Sequence, residues 1–286
     1  MKPPRLLIIF LVIFGFVILL LLVRLFTSGM PVGAKVAIID IVGPIADSEA
    51  TIDLVHKYHD DPNVKAIVLR INSPGGSVAP VQEIYRELQK IEIPVVASLG
   101  SAAASGGYYI AAAADEIFAN PGTLTGSIGV IMQFLQMKGL YEKVGLEQQV
   151  IKSGKYKDMG SSTRDLTDEE RALLQETIDD VHRQFVDAIF EGRQAVLTRE
   201  EVVAIADGRI FTGQQALELK LIDQLGGLQD AVDRAAFLGG IEGEPRVVRE
   251  ERKLSLLERL MGAEGQSRLE RLLEPAGVSF RYELHF

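Results

Sequence analysis

Length, composition and charge restrict what this chain can be. Its 286 residues are 47% hydrophobic, which fits one α/β domain with an appendage. A formal net charge of −9 provides no phosphate-neutralising face, so we expect no nucleic-acid partner. The chain has no cysteine, which excludes a thiol nucleophile, a thiolate metal site and a disulfide framework.

An apolar run near the N-terminus predicts a membrane anchor. It extends from Leu6 to Phe26 and is interrupted by Gly15 and Arg24 alone. At about 1.5 Å per residue, the run is long enough to cross a hydrocarbon core of about 30 Å. A cleavable secretory signal is the alternative, but the run is longer than the apolar part of such signals, and residues 27–30 do not form a typical cleavage site.

Basic residues on the N-terminal side of this run indicate its orientation. Lys2 and Arg5 precede it, so the positive-inside rule predicts a cytoplasmic N-terminus and an extracytoplasmic body. We therefore expect a single-pass protein of the cell membrane. Its predicted parts are an N-terminus with anchor at residues 1–28, a linker at 29–35, a main domain at 36–240 and a charged, partly helical tail at 241–286.

Strand and helix patterns alternate along the main domain. Apolar, β-branched runs predict strands at 36–42, 64–71, 95–99, 116–118, 128–133 and 147–152. Helical patterns lie between them at 47–58, 78–91, 105–113 and 135–144. Capping boxes that begin at Thr167, Thr198 and Thr212 open helices in the second half, the first of which runs to about Gly192. Because parallel strands need crossover connections, this alternation predicts an α/β fold with a parallel sheet.

A serine at a predicted helix start is the most informative feature of the main domain. The strand at 95–99 leads through small residues to Ser105, Gly106 and Gly107. The first N–H groups of a helix have no partner within the helix and carry the positive end of its dipole, so they bind anions readily. Acyl transfer needs this combination of a nucleophile and amide donors for an oxyanion.

A second glycine-rich segment ends the strand at 64–71. It reads Asn72-Ser73-Pro74-Gly75-Gly76, and its adjacent glycines can turn their N–H groups toward a bound carbonyl. Taken alone, Pro-Gly-Gly is an ordinary strand-to-helix turn. Because a helix and then the strand before Ser105 follow it, we expect the two loops to lie side by side at one edge of the sheet.

A serine nucleophile needs a base, and the residues alone do not select one. None of the four histidines lies in an apolar loop near the glycine segments, and we interpret His56 and His59 as a solvated helix end rather than a metal site. Lysine is the other option, where its surroundings favour the neutral amine. The segment after the last predicted strand offers three, and spacing does not distinguish among Lys152, Lys155 and Lys157.

Four motifs follow one another along the main domain. They are Asn72-Ser73-Pro74-Gly75-Gly76, residues 100–109 (GSAAASGGYY), residues 125–130 (TGSIGV) and residues 152–158 (KSGKYKD). In order and spacing they closely resemble the short form of signal peptide peptidase A, a family of membrane-anchored serine peptidases. The likeness extends from Val36 to about Ala236.

The resemblance implies a role for individual residues. Ser105 matches the family nucleophile and Lys157 its general base, so that the two form a Ser-Lys dyad. Ser127 matches a serine whose hydroxyl holds the lysine nitrogen. The oxyanion hole is implied to consist of glycine N–H groups, those of Gly106 and of Gly75 or Gly76. No metal or organic cofactor is implied.

The resemblance also implies an architecture and a reaction. The fold is expected to be similar to that of the Clp protease and crotonase proteins, with repeated ββα units and a helical C-terminal part. Family members assemble as dome-like homo-oligomers, octameric in the short form, in which adjacent subunits supply the serine and the lysine of one site. The implied reaction is hydrolysis of cleaved signal peptides and similar unfolded segments.

Three other interpretations remain open at this point. A related membrane serine peptidase that trims a membrane-protein partner carries the same motifs. A crotonase-like acyl-CoA enzyme uses a similar glycine oxyanion hole, although an anchored chain without a basic nucleotide site fits it poorly. A non-catalytic membrane scaffold with the same fold is the third.

Overall fold

The computed structural model describes residues 14–16, 18 and 33–250, together with the backbone of residues 281–283. The chain divides into two compact units, residues 1–34 and 35–286, and the fold below is that of the second unit. The anchor predicted from Leu6 to Phe26 lies outside the described residues except at 14–16 and 18. Within the described ranges, no helix combines the length and the apolar character needed to cross a membrane.

A largely parallel sheet forms the frame of the domain. Its strands in the described residues are β1 (Lys35–Val42), β2 (Val64–Ser73), β4 (Val95–Ala104), β5 (Glu116–Ala119), β6 (Leu124–Gly126), β7 (Ile210–Thr212), β8 (Gln224–Leu225) and β9 (Arg246–Arg249). Their order is β7-β6-β4-β2-β1-β9, with β5 paired to β4 and to β8. All pairs are parallel except β6 with β7. The predicted α/β fold is therefore confirmed.

A small second sheet lies at the end of β2. It consists of β3 (Gly75–Ser77) and β10 (Arg281–Glu283), which pair in antiparallel fashion. The helices of the described part are α1 (Glu49–His59), α2 (Val78–Leu88), α3 (Gly106–Ala111), α4 (Lys138–Val144), α5 (Asp168–Arg193), α6 (Arg199–Ile205), α7 (Gly213–Glu218) and α8 (Leu228–Leu238).

The predicted capping boxes are present at the starts of three helices. Thr167, Thr198 and Thr212 each accept a hydrogen bond from the N–H three residues later, and the side chain there binds back to the N-cap N–H. Each box satisfies two amide donors that have no partner within the helix. The three helix starts were therefore predicted correctly from sequence.

Apolar side chains leave the sheet on both faces and form two cores. In β1, Ala37 and Ile39 join the larger core, whereas Val36 and Ile38 join the smaller one, as the two-residue period of a strand requires. Helix α8 supplies Val232 and three buried alanines to the smaller core. The larger core lies on the other face, which is covered by helices such as α1, α2, α3 and α5. The candidate site lies on this side of the sheet, at the start of α3.

The structure corrects several predicted boundaries. Strand β4 continues through the small residues to Ala104 instead of ending at Leu99, because Ala102–Ala104 pair with β6. Residues 128–133 form no strand: Ile128 is fully buried, but the chain turns out of the sheet at Ser127, whose φ is 51°. Residues 147–152 form no strand either, since they are exposed and have no sheet edge to pair with in the described chain.

The predicted tail at 241–286 also contains sheet structure. Its residues 246–249 form β9, which pairs in parallel with β1 and extends the main sheet by one strand. Its residues 281–283 form β10, beside β3. The helices predicted for the rest of this segment lie outside the described residues.

Candidate active site

Ser105 occupies the turn between β4 and α3. Its backbone has φ 53° and ψ −120°, a combination that non-glycine residues rarely adopt and that costs about 1–3 kcal/mol. Two hydrogen bonds hold the turn: Ser105 N–H donates to the Gly126 carbonyl at 2.7 Å, and Tyr109 N–H donates to the Ser105 carbonyl at 2.9 Å. The residue is 1% exposed. The serine thus lies at the N-terminus of α3, as predicted.

Ser127 lies next to this turn because of the sheet register. Ala104 of β4 is paired with Gly126 of β6, and the next residues along the two strands are Ser105 and Ser127. Ser127 also has positive φ, and its N–H donates to the Arg209 carbonyl at 2.8 Å. The two serines therefore follow paired residues at the carboxyl ends of adjacent parallel strands.

The Pro-Gly-Gly loop packs against the same helix start. A Cβ on Gly107 would lie 3.0 Å from the Ser73 carbonyl oxygen, so a larger residue there would push the two loops apart by a few tenths of an ångström. On the other side, a Cβ on Gly76 would lie 2.1 Å from the Ile45 carbonyl oxygen. The expected side-by-side arrangement of the two glycine loops is therefore present.

The N–H groups of the two loop glycines are not equivalent. Gly75 N–H donates to the Ser73 hydroxyl at 3.1 Å, so this donor already has a partner. The Gly75 carbonyl accepts from Ile45 N–H, and Ser77 N–H donates to the Ile45 carbonyl, each at 2.8 Å. These two bonds attach one edge of β3 to the Ile45 backbone and leave the opposite edge facing β10.

Strand β10 occupies that opposite edge of β3. Its residue 283 is paired with Gly75, 282 with Gly76 and 281 with Ser77, in antiparallel orientation. An extended segment of the chain itself is thus added to the glycine strand beside Ser105. This is the mode by which many proteins bind extended peptides, through main-chain hydrogen bonds at a free sheet edge.

Asn72 has a role that sequence reasoning did not assign. Its side-chain carbonyl accepts the N–H groups of Ser101 and Ala102 at 3.1 and 3.2 Å. The β2–β4 register shifts here, so that Ile71 is opposite Leu99 but Ser73 is opposite Ala103. Asn72 therefore holds a bulge in β4 four residues before the turn at Ser105. The sequence feature that could have indicated this role is the position of Asn72 at the end of a strand, directly before the Pro-Gly-Gly loop.

The structure does not join Lys157 to Ser105 by any hydrogen bond or ion pair of the described residues. It is exposed, in a turn at 154–160, and its N–H donates to the Gly154 carbonyl at 3.2 Å. Among the described residues, no side-chain hydrogen bond or ion pair joins Lys157 to Ser105 or Ser127. None of the described histidines hydrogen-bonds to Ser105 either; His56 instead lies 3.1 Å from Glu87.

The three lysines of this segment have different surroundings. Lys152 donates to Asp158 at 2.5 Å and to the Lys155 carbonyl at 2.9 Å. Lys155 donates to Glu169, and this hydrogen bond raises the pKa of Lys155, which disfavours it as a neutral base. Lys157 makes no side-chain hydrogen bond or ion pair within the part of the chain that the structure describes. The structure thus distinguishes among lysines that the sequence spacing left equivalent.

Comparison with known proteins identifies the family. Residues 87–242 match the model of peptidase family S49, and residues 35–138 match that of the N-terminal domain of NfeD1b. A protein named as a protease in Synechocystis is 44% identical over 249 residues, which cover 86% of this chain and 88% of that protein.

Two further relatives carry more specific names. An Enterococcus faecium protein named as signal peptide peptidase SppA is 42% identical over 62% of this chain and 52% of its own length. The chloroplastic serine protease SPPA of Arabidopsis thaliana is 37% identical over 65% of this chain and 28% of its own length. The matched family model, the relatives and the paired glycine loops around a strained serine agree, and the chain belongs to peptidase family S49, the family of the signal peptide peptidase A proteins.

Proposed function

We propose that this chain is a membrane-anchored serine endopeptidase, a signal peptide peptidase that hydrolyses cleaved signal peptides and similar unfolded segments. Ser105 is the nucleophile and Lys157 the general base in this proposal. The fold is proposed to be of the Clp protease and crotonase type, with repeated ββα units. The segment from Leu6 to Phe26 anchors the protein, and the catalytic domain lies outside the cytoplasm.

The observation that carries the proposal is the backbone of Ser105. A buried serine held at positive φ between a strand and a helix resembles the sharp turns that present nucleophiles in other hydrolases. Such strain persists only where the surrounding structure imposes it, and here it places the hydroxyl beside the free amides of α3.

The oxyanion hole in this proposal combines two loops. Gly106 N–H, the first amide of α3, is one donor. Gly76 N–H is preferred to Gly75 N–H as the second donor, because Gly75 donates to the Ser73 hydroxyl of its own loop, whereas Gly76 is opposite residue 282 on the β3 edge where a substrate would replace β10. Removing one such donor from a hydrolase typically costs about 3 kcal/mol of transition-state stabilisation.

An adjacent subunit is proposed to supply the lysine. Among the described residues of its own chain, Lys157 makes no hydrogen bond or ion pair with Ser105. The segment that carries Lys157 is rich in exposed apolar side chains: Leu135, Leu140, Val144, Leu146, Val150, Ile151 and Tyr156. An exposed apolar segment of this size is typical of a protein–protein interface. A ring of subunits, octameric as in the short family members, would bring each Lys157 to a neighbour's Ser105, where Ser127 would orient it.

The reaction then proceeds in two halves. Neutral Lys157 accepts the proton of Ser105 while the serine oxygen attacks the peptide carbonyl, and the glycine N–H groups stabilise the resulting oxyanion. The protonated lysine gives its proton to the leaving amine, and the C–N bond breaks to leave an acyl-enzyme. Water then attacks the ester carbon while the lysine accepts a proton from it. As the ester bond breaks, the lysine returns this proton to the Ser105 oxygen, and the peptide leaves with a new carboxyl end.

The β3 edge is the proposed binding site for the substrate. An extended peptide would add to Gly75–Ser77 as β10 does, which places its scissile carbonyl near Ser105. Binding through the main chain tolerates many side chains, as a peptidase of varied signal peptides requires. The proposed membrane anchor keeps the enzyme where cleaved signal peptides leave the bilayer.

The test is made on the full-length protein in detergent. Ser105→Ala and Lys157→Ala are each expected to lower the rate of peptide cleavage at least a thousandfold, because both residues act in the same step. Ser101→Ala is the matched control, since Ser101 lies in β4, four residues before Ser105, but is exposed. Labelling by a fluorophosphonate, followed by mapping of the modified residue, should identify Ser105.

Other outcomes would contradict the proposal. Unchanged cleavage by either active-site variant would exclude the dyad, and no cleavage by the wild-type oligomer would favour a scaffold. Binding of acyl-CoA without labelling of Ser105 would favour the crotonase-like alternative. Cleavage of a single membrane protein but not of signal peptides would favour the related peptidase that trims a partner.

A further inference from the structure

A network of charged side chains surrounds the turn that carries Lys157. Arg164 is its centre: the guanidinium donates to both carboxylate oxygens of Asp158 at 3.0 and 2.8 Å and to the Asp158 carbonyl at 3.2 Å. Asp158 is the residue directly after Lys157. Lys152 donates to the same carboxylate, so two cations hold the end of the turn.

Arg164 also binds the start of the longest helix. It donates to both oxygens of Glu170, at 2.8 and 2.5 Å. Glu170 is 4% exposed and is the third residue of α5, where its carboxylate also accepts Thr167 N–H at 2.9 Å in the capping box. The far half of the same helix is fixed in the core by Phe185 and Ile189, both fully buried.

These contacts form a continuous mechanical connection. Asp158 is joined to Arg164, Arg164 to Glu170, and Glu170 to a 26-residue helix that is anchored in the core. The hydrogen bonds from Arg164 lower the pKa of Glu170 to about 2 and hold the pKa of Asp158 below its ordinary value, so both carboxylates stay ionised at neutral pH. The arrangement is a bidentate network with a buried member, unlike an isolated surface ion pair.

We propose that Arg164 is a positioning residue, which fixes the Lys157 turn to helix α5 and thereby sets where the general base lies. The inference rests on the proposed Ser-Lys dyad. An exposed turn that carries a general base needs such an attachment, because a displacement of about 1 Å at a catalytic group can cost about a hundredfold in rate. Lysine at position 164 would not replace arginine, since it cannot bind two carboxylates in the same planar geometry.

The experiment compares Arg164→Ala with wild type. The kcat of each protein is calculated per titrated active site, so that unfolded molecules do not lower it. We expect kcat to fall about 10–100-fold and KM to change less than about twofold, because the base is displaced while the substrate edge at β3 is untouched. Asp158→Asn keeps the shape of the side chain and removes its charge, and we expect a smaller loss, about 3–10-fold. The control is Arg199→Ala, which removes an exposed ion pair with Asp187 on α5 and should leave kcat unchanged.

A second measurement separates positioning from general destabilisation. In the Lys157→Ala background, slow labelling of Ser105 by a fluorophosphonate should be the same with and without Arg164→Ala, because no lysine remains to be positioned. Unchanged kcat in both Arg164→Ala and Asp158→Asn would overturn the inference. An equal loss of labelling in the presence and absence of Lys157 would also overturn it. If wild-type cleavage did not depend on Lys157, the proposed function itself would fail. That result differs from the two outcomes that would overturn the role of Arg164 alone.

Discussion

At the scale of single residues, Gly76 shows how one absent side chain shapes the site. Its backbone lies against the Ile45 carbonyl, and this close approach lets β3 accept one hydrogen bond from Ile45 N–H and donate another to the Ile45 carbonyl along one edge. The same position keeps the proposed oxyanion donor beside the start of α3. A methyl group has no room there, so the geometry of the loop depends on glycine.

Gly76→Ala should therefore damage the enzyme more than the fold. The new Cβ would lie 2.1 Å from the Ile45 oxygen, so β3 must move. We expect kcat/KM for peptide cleavage to fall at least about a hundredfold, and the stability to fall by about 1–3 kcal/mol. Gly122→Ala is the control, because a Cβ at Gly122 meets no atom within 4 Å. Wild-type kcat/KM in Gly76→Ala would exclude Gly76 from the oxyanion hole.

Residue-level prediction from sequence was uneven for a physical reason. The position of Ser105 at a helix start was predicted correctly, because a small-residue strand before a helix start is a local pattern. Asn72 was not given a role because its partners, Ser101 and Ala102, are distant in sequence. Arg164 was not given one because its partners lie across turns whose shape the sequence does not show. Gly75 and Gly76 looked equivalent until the structure showed that Ser73 binds one of them.

At the scale of elements, the pairing of β10 with β3 shows a segment of the chain in the place proposed for substrate. Strand β10 and a bound substrate would add to the same edge of β3, so they would compete for it. A tethered competitor acts at a high effective concentration and raises the apparent KM without changing the chemistry.

Ending the chain after Glu250 should relieve this competition. The shortened protein keeps β9, which ends at Arg249, and loses β10. We expect KM for a short peptide to fall several-fold while kcat stays the same. Tyr282→Pro in the full-length chain is a milder version, since proline cannot donate to the strand pair. An unchanged KM in both proteins would show that β10 does not occupy the edge in solution.

The elements were predicted well where their signal is local. Capping boxes and apolar periodicity located the helices before α8 and most of the parallel strands, whereas α8 was not predicted. The second half of β4 was missed because alanine and glycine have low strand propensity, and its pairing with β6 overrides that preference. The strands predicted at 128–133 and 147–152 were wrong, because an apolar run becomes a strand only where a sheet edge is available.

At the scale of the whole molecule, the proposed site is shared between adjacent chains. Ser105 and its amides belong to the well-packed sheet, whereas Lys157 lies on a segment with exposed apolar residues such as Leu146 and Ile151. Assembly would cover those residues and supply the lysine in one step. The proposed activity should therefore depend on protein concentration.

Mixed assemblies test whether subunits share sites. Ser105→Ala and Lys157→Ala proteins, each inactive, are dissociated, mixed in equal amounts and reassembled. Random assembly should restore about a quarter of the wild-type rate, because that fraction of interfaces joins an intact serine to an intact lysine.

The control for this mixture adds Ile151→Glu to both proteins. That change places a charge in the exposed apolar segment and should prevent both assembly, measured by light scattering, and recovery of activity. A mixture that assembles but stays inactive would show that each chain uses its own lysine.

The sequence by itself determined the α/β class, the three helix starts with capping boxes, the nucleophile candidate and the two glycine loops. These depend on periodicity, caps and turn residues, which act over a few neighbouring positions. Only the tertiary structure decided which strands pair and that the Gly75 amide is bound by Ser73. It also showed that Lys152 and Lys155, but not Lys157, bind carboxylates, and that Arg164 joins the Lys157 turn to α5. These features depend on contacts between residues that folding brings together, and no local pattern encodes such contacts.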